Sequence, residues 1–305
     1  MKYSFISGGT GTPKLLQGFR TKVADDKIGV ICNTGDDYRW QNLHVSPDLD
    51  TVLYLFSSRL DVDKFWGVKD ETFHAVNTLR SLGEDIWFNV GDFDLGLHLY
   101  RTPRLETKSL TEITQEVCQS WGITADILPM ANELVQTQII SNMGNLHFQE
   151  YFVKHRTNVK VSNVKFLSHK PKLTPEVASQ MTQCNSIIIG PSNPVTSIGP
   201  VLSIPPLLIQ LQHNRSKVLA VSPIIGNNAF SGPTISLLHS QGIEQSPRGI
   251  ANYYRSTISK LVLSPSDMDY KQDILDCDIE PIFLNIDLST QAQKEALAEY
   301  LIDLL

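Results

Sequence analysis

An α/β fold is predicted by three features of this 305-residue chain. Short apolar runs alternate with longer amphipathic ones. Some of the short runs, Ile187-Ile188-Ile189 and Val218-Leu219-Ala220-Val221 among them, are apolar throughout, as strands covered on both faces of a parallel sheet are. Four of them lead straight into loops of Gly, Ser, Thr, Pro and Asn before a helical pattern begins, the repeating unit of a doubly wound sheet. The expectation is a single domain, 1–305. A Rossmann-like, doubly wound, mostly parallel sheet occupies about 1–56 and 185–305, with an α+β insertion at about 57–184.

The elements follow in order. Residues 3–7 form the first strand, and the run from Pro13 reads as a helix with proline at its first position. A second strand at 27–33 leads to a strongly apolar helix that begins at Pro47 or Asp48. Within the insertion, Ser109-x-x-Glu112 is a capping box that opens a helix over 110–121. Segments 135–141, 146–153 and 161–167 alternate apolar and polar residues, the pattern of half-exposed antiparallel strands. Thr174 then caps a helix with Pro175 at its first position. Strands at 186–190, 217–222, 259–263 and 281–286 complete the sheet, and an amphipathic helix closes it at 291–305.

Composition narrows the function. The formal net charge of −6 argues against nucleic-acid binding, which draws its affinity from Lys and Arg meeting phosphates. No apolar run approaches the roughly 20 residues of a membrane span, and the start of the chain turns polar too soon for a signal peptide. Cys32, Cys118, Cys184 and Cys277 lie far apart with no C-x-x-C pair. Free thiols in a reducing cytoplasm are expected, without disulfides or a zinc cluster.

The strand-end loops carry the candidate chemistry. In Ser7-Gly8-Gly9-Thr10-Gly11-Thr12-Pro13-Lys14, bare backbone N–H groups and a helix N-terminus make an anion site. Lys14 stands where a dinucleotide fingerprint needs its third glycine, and no G-K-[ST] follows for a Walker A loop. An ordinary tight strand-to-helix turn is the alternative. Asn33-Thr34-Gly35-Asp36-Asp37 is the second loop and Gly190-Pro191-Ser192-Asn193-Pro194 opens the third, whose prolines stiffen a run of hydroxyl and amide groups. Ser222-Pro223-Ile224-Ile225-Gly226 is the fourth. In a parallel sheet all four end on one edge and converge on a nucleotide-sized pocket.

Asp48 and Asp50 open the helix at 47, either as Mg²⁺ ligands or as capping and solvated charge. Asp50 is expected to face the surface. Asp94 and His98 stand four residues apart and would face each other on a second helix, and His147 sits on an insertion strand as a packing or hydrogen-bonding residue. There is no G-x-S-x-G elbow, Cys–His context or H-E-x-x-H helix, so a transfer that relies on positioning and charge neutralisation fits better than covalent catalysis.

Together with Pro47-Asp48-Leu49-Asp50-Thr51-Val52, His147-Phe148-Gln149 and Val221-Ser222-Pro223-Ile224, these loops resemble the 2-phospho-L-lactate transferases of coenzyme F420 biosynthesis, essentially end to end. The resemblance implies a Mg²⁺-dependent transfer onto the deazaflavin precursor Fo. The donor would be a guanosine diphosphate ester of phospholactate, phosphoenolpyruvate or a related three-carbon acid. The ribityl hydroxyl of Fo attacks and GMP leaves, giving coenzyme F420-0 or its dehydro form, in a cytoplasmic homodimer.

On this resemblance Asp50 and Asp48 are the catalytic and metal-holding residues. Gly8, Gly9, Thr10, Gly11, Thr12, Lys14, Asn33, Asp36, Asp37, Gly190, Pro191, Ser192 and Asn193 bind the substrates. Asn89 belongs with them, in a position where the family usually has a basic residue contacting Fo, and Phe93 stands where the family commonly has Arg. The rival readings are a non-catalytic, nucleotide-sugar-binding regulatory protein of the same superfamily and a nicotinamide dehydrogenase. Lys14 speaks against the second.

Overall fold

The computed structural model describes residues 1–229 and 232–305. Seven parallel strands form the central sheet: β1 (Tyr3–Ser7), β2 (Ile28–Cys32), β3 (Asp126–Pro129), β4 (Ser186–Ile189), β5 (Val218–Val221), β6 (Lys260–Leu263) and β7 (Glu280–Phe283). Their order across the sheet is β7-β6-β5-β4-β1-β2-β3. The chain thus winds outward in one direction from β1 and, after β3, in the other from β4. The doubly wound prediction holds. Among the described residues no single helix is long and apolar enough to cross a membrane.

Why the strands are apolar throughout is visible in the packing. Tyr3, Phe5, Val30, Cys32, Ile188, Leu219 and Val262 enter the core on one side of the sheet, whereas Ile6, Ile31, Ile187, Ile189, Ala220 and Leu261 enter the core on the other. Successive side chains point to opposite faces, and both faces are covered.

Two expectations differ from the structure in the middle of the chain. Asp126-Ile127-Leu128-Pro129, inside the stretch expected to be an insertion, joins the central sheet as edge strand β3. Four residues ending in proline carry too little periodicity to announce a strand, and a proline at the end of an edge strand is tolerated because no ladder bond is lost. The antiparallel unit is real: Val135–Ser141 pairs on one side with Gly144–His147 and on the other with Val161–Ser168. The second of these strands is shorter than expected, because Glu150–Lys154 coils into a wide helical turn. Phe148 and Tyr151, three apart, both turn inward, and it is this spacing that the alternation concealed.

Local signals set the helix ends. Ser109 and Glu112 exchange both capping-box bonds, and Thr174 caps the helix that begins at Pro175. The first helix starts earlier than expected, spanning Gly11–Phe19 with Thr10 as its cap residue, so Pro13 is third and not first. A proline is still tolerated there, since that N–H has no partner within the helix. This helix lies along Gln291–Leu304. A Cβ on Gly18 would come within 2.2 Å of the Lys294 carbonyl oxygen, so a glycine is needed for the two helices to touch.

Candidate functional site at the sheet switch point

Between β1 and β4 the winding direction reverses, and the loops that follow these strands diverge around a crevice, the place where doubly wound sheets bind ligands. A cleft of about 420 Å³ opens there. Its polar end is made by Gly9, Thr10, Gly11, Asp36, Asp48, Ser192, Asn193, Thr196 and Ser197. Phe88, Val90, Phe148, Phe152 and Trp66 line its apolar part, and Asp50, Tyr54, Asn89, Asp94 and His98 also reach it.

The glycines serve first to fit two loops together. A Cβ on Gly8 would lie 2.4 Å from the Ser197 carbonyl oxygen, and one on Gly11 would lie 2.1 Å from that of Pro191. On Gly190 it would meet the Thr12 side chain at 2.2 Å. Ser192 Oγ accepts the Thr12 N–H at 3.0 Å and pairs with the Thr12 hydroxyl at 2.8 Å. Gly8, Thr12, Gly190 and Pro191 therefore hold the walls together rather than lining the cleft. Gly9, Thr10 and Gly11 do line it. Asn193 also works within its own loop, with Oδ1 accepting from the Val195 and Thr196 N–H groups.

Lys14 does not belong to this site. Its ammonium sits 5.5 Å from the centre of the Phe65 ring, beside Lys294, because the early helix start turns position 14 away from the loop.

The second loop is braced from below by the insertion. Asn33 Oδ1 accepts the Gly35 N–H, and its Nδ2 donates to Asp48 Oδ2 at 2.8 Å. The Gly35 and Asp36 carbonyls accept from the Thr137 N–H and from Gln149 Nε2, and His147 Nε2 lies 3.0 Å from the Asp37 carbonyl. His147 is thus a bracing residue. Asp37 Oδ2 accepts from Ser46 Oγ at 2.7 Å and lies 2.8 Å from His44 Nε2. Asn33 and Asp37 stand behind the cleft wall; Asp36 and Asp48 are in it.

Carboxyl groups gather here with little positive charge beside them, and burial makes them hold their protons more tightly. Burial pushes the Asp48 carboxyl up to about 6, against the pull of the Gly9 N–H and the Asn33 amide. Burial raises Asp36 further, and the Asp48 charge adds to it, although Thr137 and Asn33 favour its ionised form. Asp36 Oδ1 and Asp37 Oδ1 are buried with no donor in hydrogen-bonding position.

Asp50, expected at the surface, is instead 3% exposed. Both of its oxygens are held by the Arg101 guanidinium, itself 1% exposed, with Nη1 at 3.0 Å from Oδ2. Oδ2 also accepts the Ser46 N–H at 3.3 Å. His98 Nδ1 stands 3.9 Å from the same oxygen with no hydrogen bond, and burial depresses the imidazole to about 4, leaving it neutral. Asp94, expected to face His98, instead accepts from the Tyr54 hydroxyl, and burial lifts its carboxyl to about 6.

Sequence reasoning misses Arg101. The signal is there: Asp94, His98 and Arg101 occupy i, i+4 and i+7 of the helix Asp92–Arg104, a polar stripe on one face. Asn89 lines the cleft, and its Oδ1 accepts from Arg80. Phe93 lies outside the cleft, its ring near Tyr54 and Trp121 with the Arg59 guanidinium 5.7 Å away. The four cysteines are buried free thiols.

Fold and cleft define a doubly wound α/β protein with its ligand crevice at the switch point. Residues 4–277 match the family described as 2-phospho-L-lactate transferase CofD. The chain is 40% identical over 264 residues to the 2-phospho-L-lactate transferase of Methanococcoides burtonii, covering 86% of both chains. It is 35% identical over 309 residues to that of Methanococcus maripaludis strain S2, covering 99% of this chain and 98% of the other. The chain belongs to the CofD family and is a transferase. Protein BH3568 of Bacillus halodurans, described as a member of the UPF0052 family, superposes at 13% identity with a TM-score of 0.62 over 99% of each chain and shares the fold.

Proposed function

We propose that this protein transfers 2-phospholactate, or a related phospho three-carbon acid, from a guanosine diphosphate ester to the ribityl hydroxyl of Fo. GMP leaves, and coenzyme F420-0 or its dehydro form is the product. The observation that carries this reading is the two-ended cleft: backbone donors and carboxylates at one end, aromatic rings at the other, in a chain similar to 2-phospho-L-lactate transferases along nearly its whole length.

The residues fit a magnesium ion. Buried Asp36 and half-buried Asp48 form an under-neutralised carboxylate pair with a donorless oxygen on Asp36, as a hard cation requires. No group of three or more His, Cys, Asp or Glu side chains among the described residues suffices to hold a metal alone. Waters and substrate phosphates would complete the shell, which is the usual habit of Mg²⁺. Asp48 with Asp36 would hold it; Asp50, occupied by Arg101, holds the helix start through the Ser46 N–H. Such an ion neutralises charge on the bridging phosphates.

The rest is positioning. The N-terminus of Gly11–Phe19 faces the cleft and favours the donor's phosphates. Phe88, Phe148 and Phe152 offer a surface for the flat acceptor, and they exclude water from the reacting hydroxyl. Splitting a phosphoanhydride already supplies a good leaving group, so alignment is the main task left to the protein. Homodimer assembly is part of the same proposal.

Incubation with Fo, Mg²⁺ and the phospholactyl, enolpyruvyl or phosphoglyceryl guanosine diphosphate in turn tests this reading. GMP release with the matching adduct by mass spectrometry is expected from at least one donor. No release from any donor, together with tight binding of a nucleotide sugar, would overturn it in favour of the regulatory reading.

A further inference from the structure

Trp66 is the largest apolar side chain at the cleft that remains open to solvent. It lines the cleft and yet is 56% exposed. Its immediate neighbour Phe65 is 3% exposed and belongs to the core beneath the helices of the glycine-loop side. The backbone forces this division. Phe65 has φ +60° and Gly67 has φ +72°, so two left-handed residues flank Trp66, one turning its ring inward while the indole stays at the mouth.

The loop that carries the indole is tied at both ends. The Asp61 N–H donates to the Gly67 carbonyl at 3.0 Å, and the Phe65 N–H donates to the Asp61 carbonyl at 2.8 Å. Lys69 N–H bonds the Arg59 carbonyl at 2.8 Å, and Leu60 bridges Val68. The Asp61 carboxylate accepts the N–H groups of Asp63 and Lys64 and pairs with the Lys64 ammonium. That ammonium in turn lies 5.5 Å from the indole centre. A large ring held out on a closed, anchored loop loses little freedom when it binds something flat.

We infer that Trp66 is a stacking subsite for a planar heteroaromatic ring at the mouth of the cleft. The ring is either the purine of the nucleotide donor or the tricyclic ring of the acceptor. This subsite rests on the transferase reading given above. Gly9, Thr10 and Gly11 lie on the same cleft, so a ligand whose phosphates occupy the helix N-terminus can bring a ring to the rim. A planar heteroaromatic ring on the indole face gains stacking that a ringless ligand does not.

The test uses the intact protein and the variants Trp66→Ala and Trp66→Phe, with GDP plus Mg²⁺ in one series, Fo in another, and pyrophosphate plus Mg²⁺ as the ringless control. Dissociation constants come from calorimetry, and tryptophan emission is followed in parallel. For one of the two ring ligands, Trp66→Ala weakens binding by about 5–150-fold, the range of a single stacked ring. Trp66→Phe weakens it less, and quenching seen in the unsubstituted protein disappears in both. Pyrophosphate binding and melting temperature stay unchanged.

A loss confined to GDP assigns the subsite to the purine, and a loss confined to Fo assigns it to the acceptor. The inference is overturned if the unsubstituted protein binds both ligands and neither constant moves by more than twofold in Trp66→Ala. Binding of neither ligand by the unsubstituted protein would remove the transferase reading itself, and the subsite with it.

Discussion

Replacing Asp50 by asparagine strikes the most buried charge pair next to the cleft. The neutral amide keeps the shape of the carboxylate but leaves the Arg101 guanidinium, 1% exposed, without its counter-charge. Breaking a buried pair by removing one partner costs about 3–5 kcal/mol, far more than the pair contributes relative to apolar residues of similar size. With an unfolding entropy of about 2.1 cal/mol/K per residue, that loss lowers the melting midpoint by about 5–8 °C in a chain of this length. Differential scanning calorimetry of Asp50→Asn, Arg101→Met and the double variant completes the cycle. The double variant should regain at least half of the loss, because no unpaired charge is left inside. If Asp50→Asn melts within 1–2 °C of the parent, roughly the shift of a surface substitution, the carboxylate does not carry the buried guanidinium and the reasoning fails.

Three further outcomes follow from the same geometry. Gly11→Ala should destabilise the fold as well as the cleft, since its Cβ would meet the Pro191 carbonyl oxygen at 2.1 Å; an unchanged melting curve would show that the two loops are not zipped together. His98 should stay neutral until about pH 4. A midpoint above 6 for its imidazole in a nitrogen-detected NMR titration would contradict the burial that depresses it. Asp48 titrates at about 6 in the folded protein and about 3.9 unfolded, so without divalent cation its contribution to stability is full below 3.9 and is lost as pH rises through 6. Asp48→Asn should therefore raise the melting temperature at pH 7.5 by the equivalent of about 2–3 kcal/mol and leave it nearly unchanged at pH 4; a lower melting temperature at pH 7.5 would refute this.

Much of the sheet could be read because its strands are covered on both faces and so are apolar without interruption. Val218-Leu219-Ala220-Val221 became a strand with its expected core, and the caps at Ser109 and Thr174 start helices where their side chains said they would. Asp126–Pro129 was missed because it lies at the edge, where a strand can be short and end in proline. At the site, the loops were legible as a set, since topology alone brings strand ends together. What could not be read was the division of labour within them. Gly8, Gly11 and Gly190 look like phosphate-binding glycines, yet their missing Cβ atoms make room for the facing loop, a partner some 180 residues away. Likewise Asp50 looks like a free acid until Arg101, from a separate helix, is placed against it.

The contact between Gly8–Gly11 and Pro191–Ser197 has a bearing on biosynthesis. While a ribosome is still making the first half of the molecule, β1 has β2 beside it but must wait for Ser186–Ile189 on its other edge. The helix Gly11–Phe19 must wait longer still, for Gln291–Leu304. Long-range pairing of this kind is closed late and slowly. A nascent or prematurely released polypeptide ending before residue 291 would therefore leave the helix that opens the cleft without the partner it packs on.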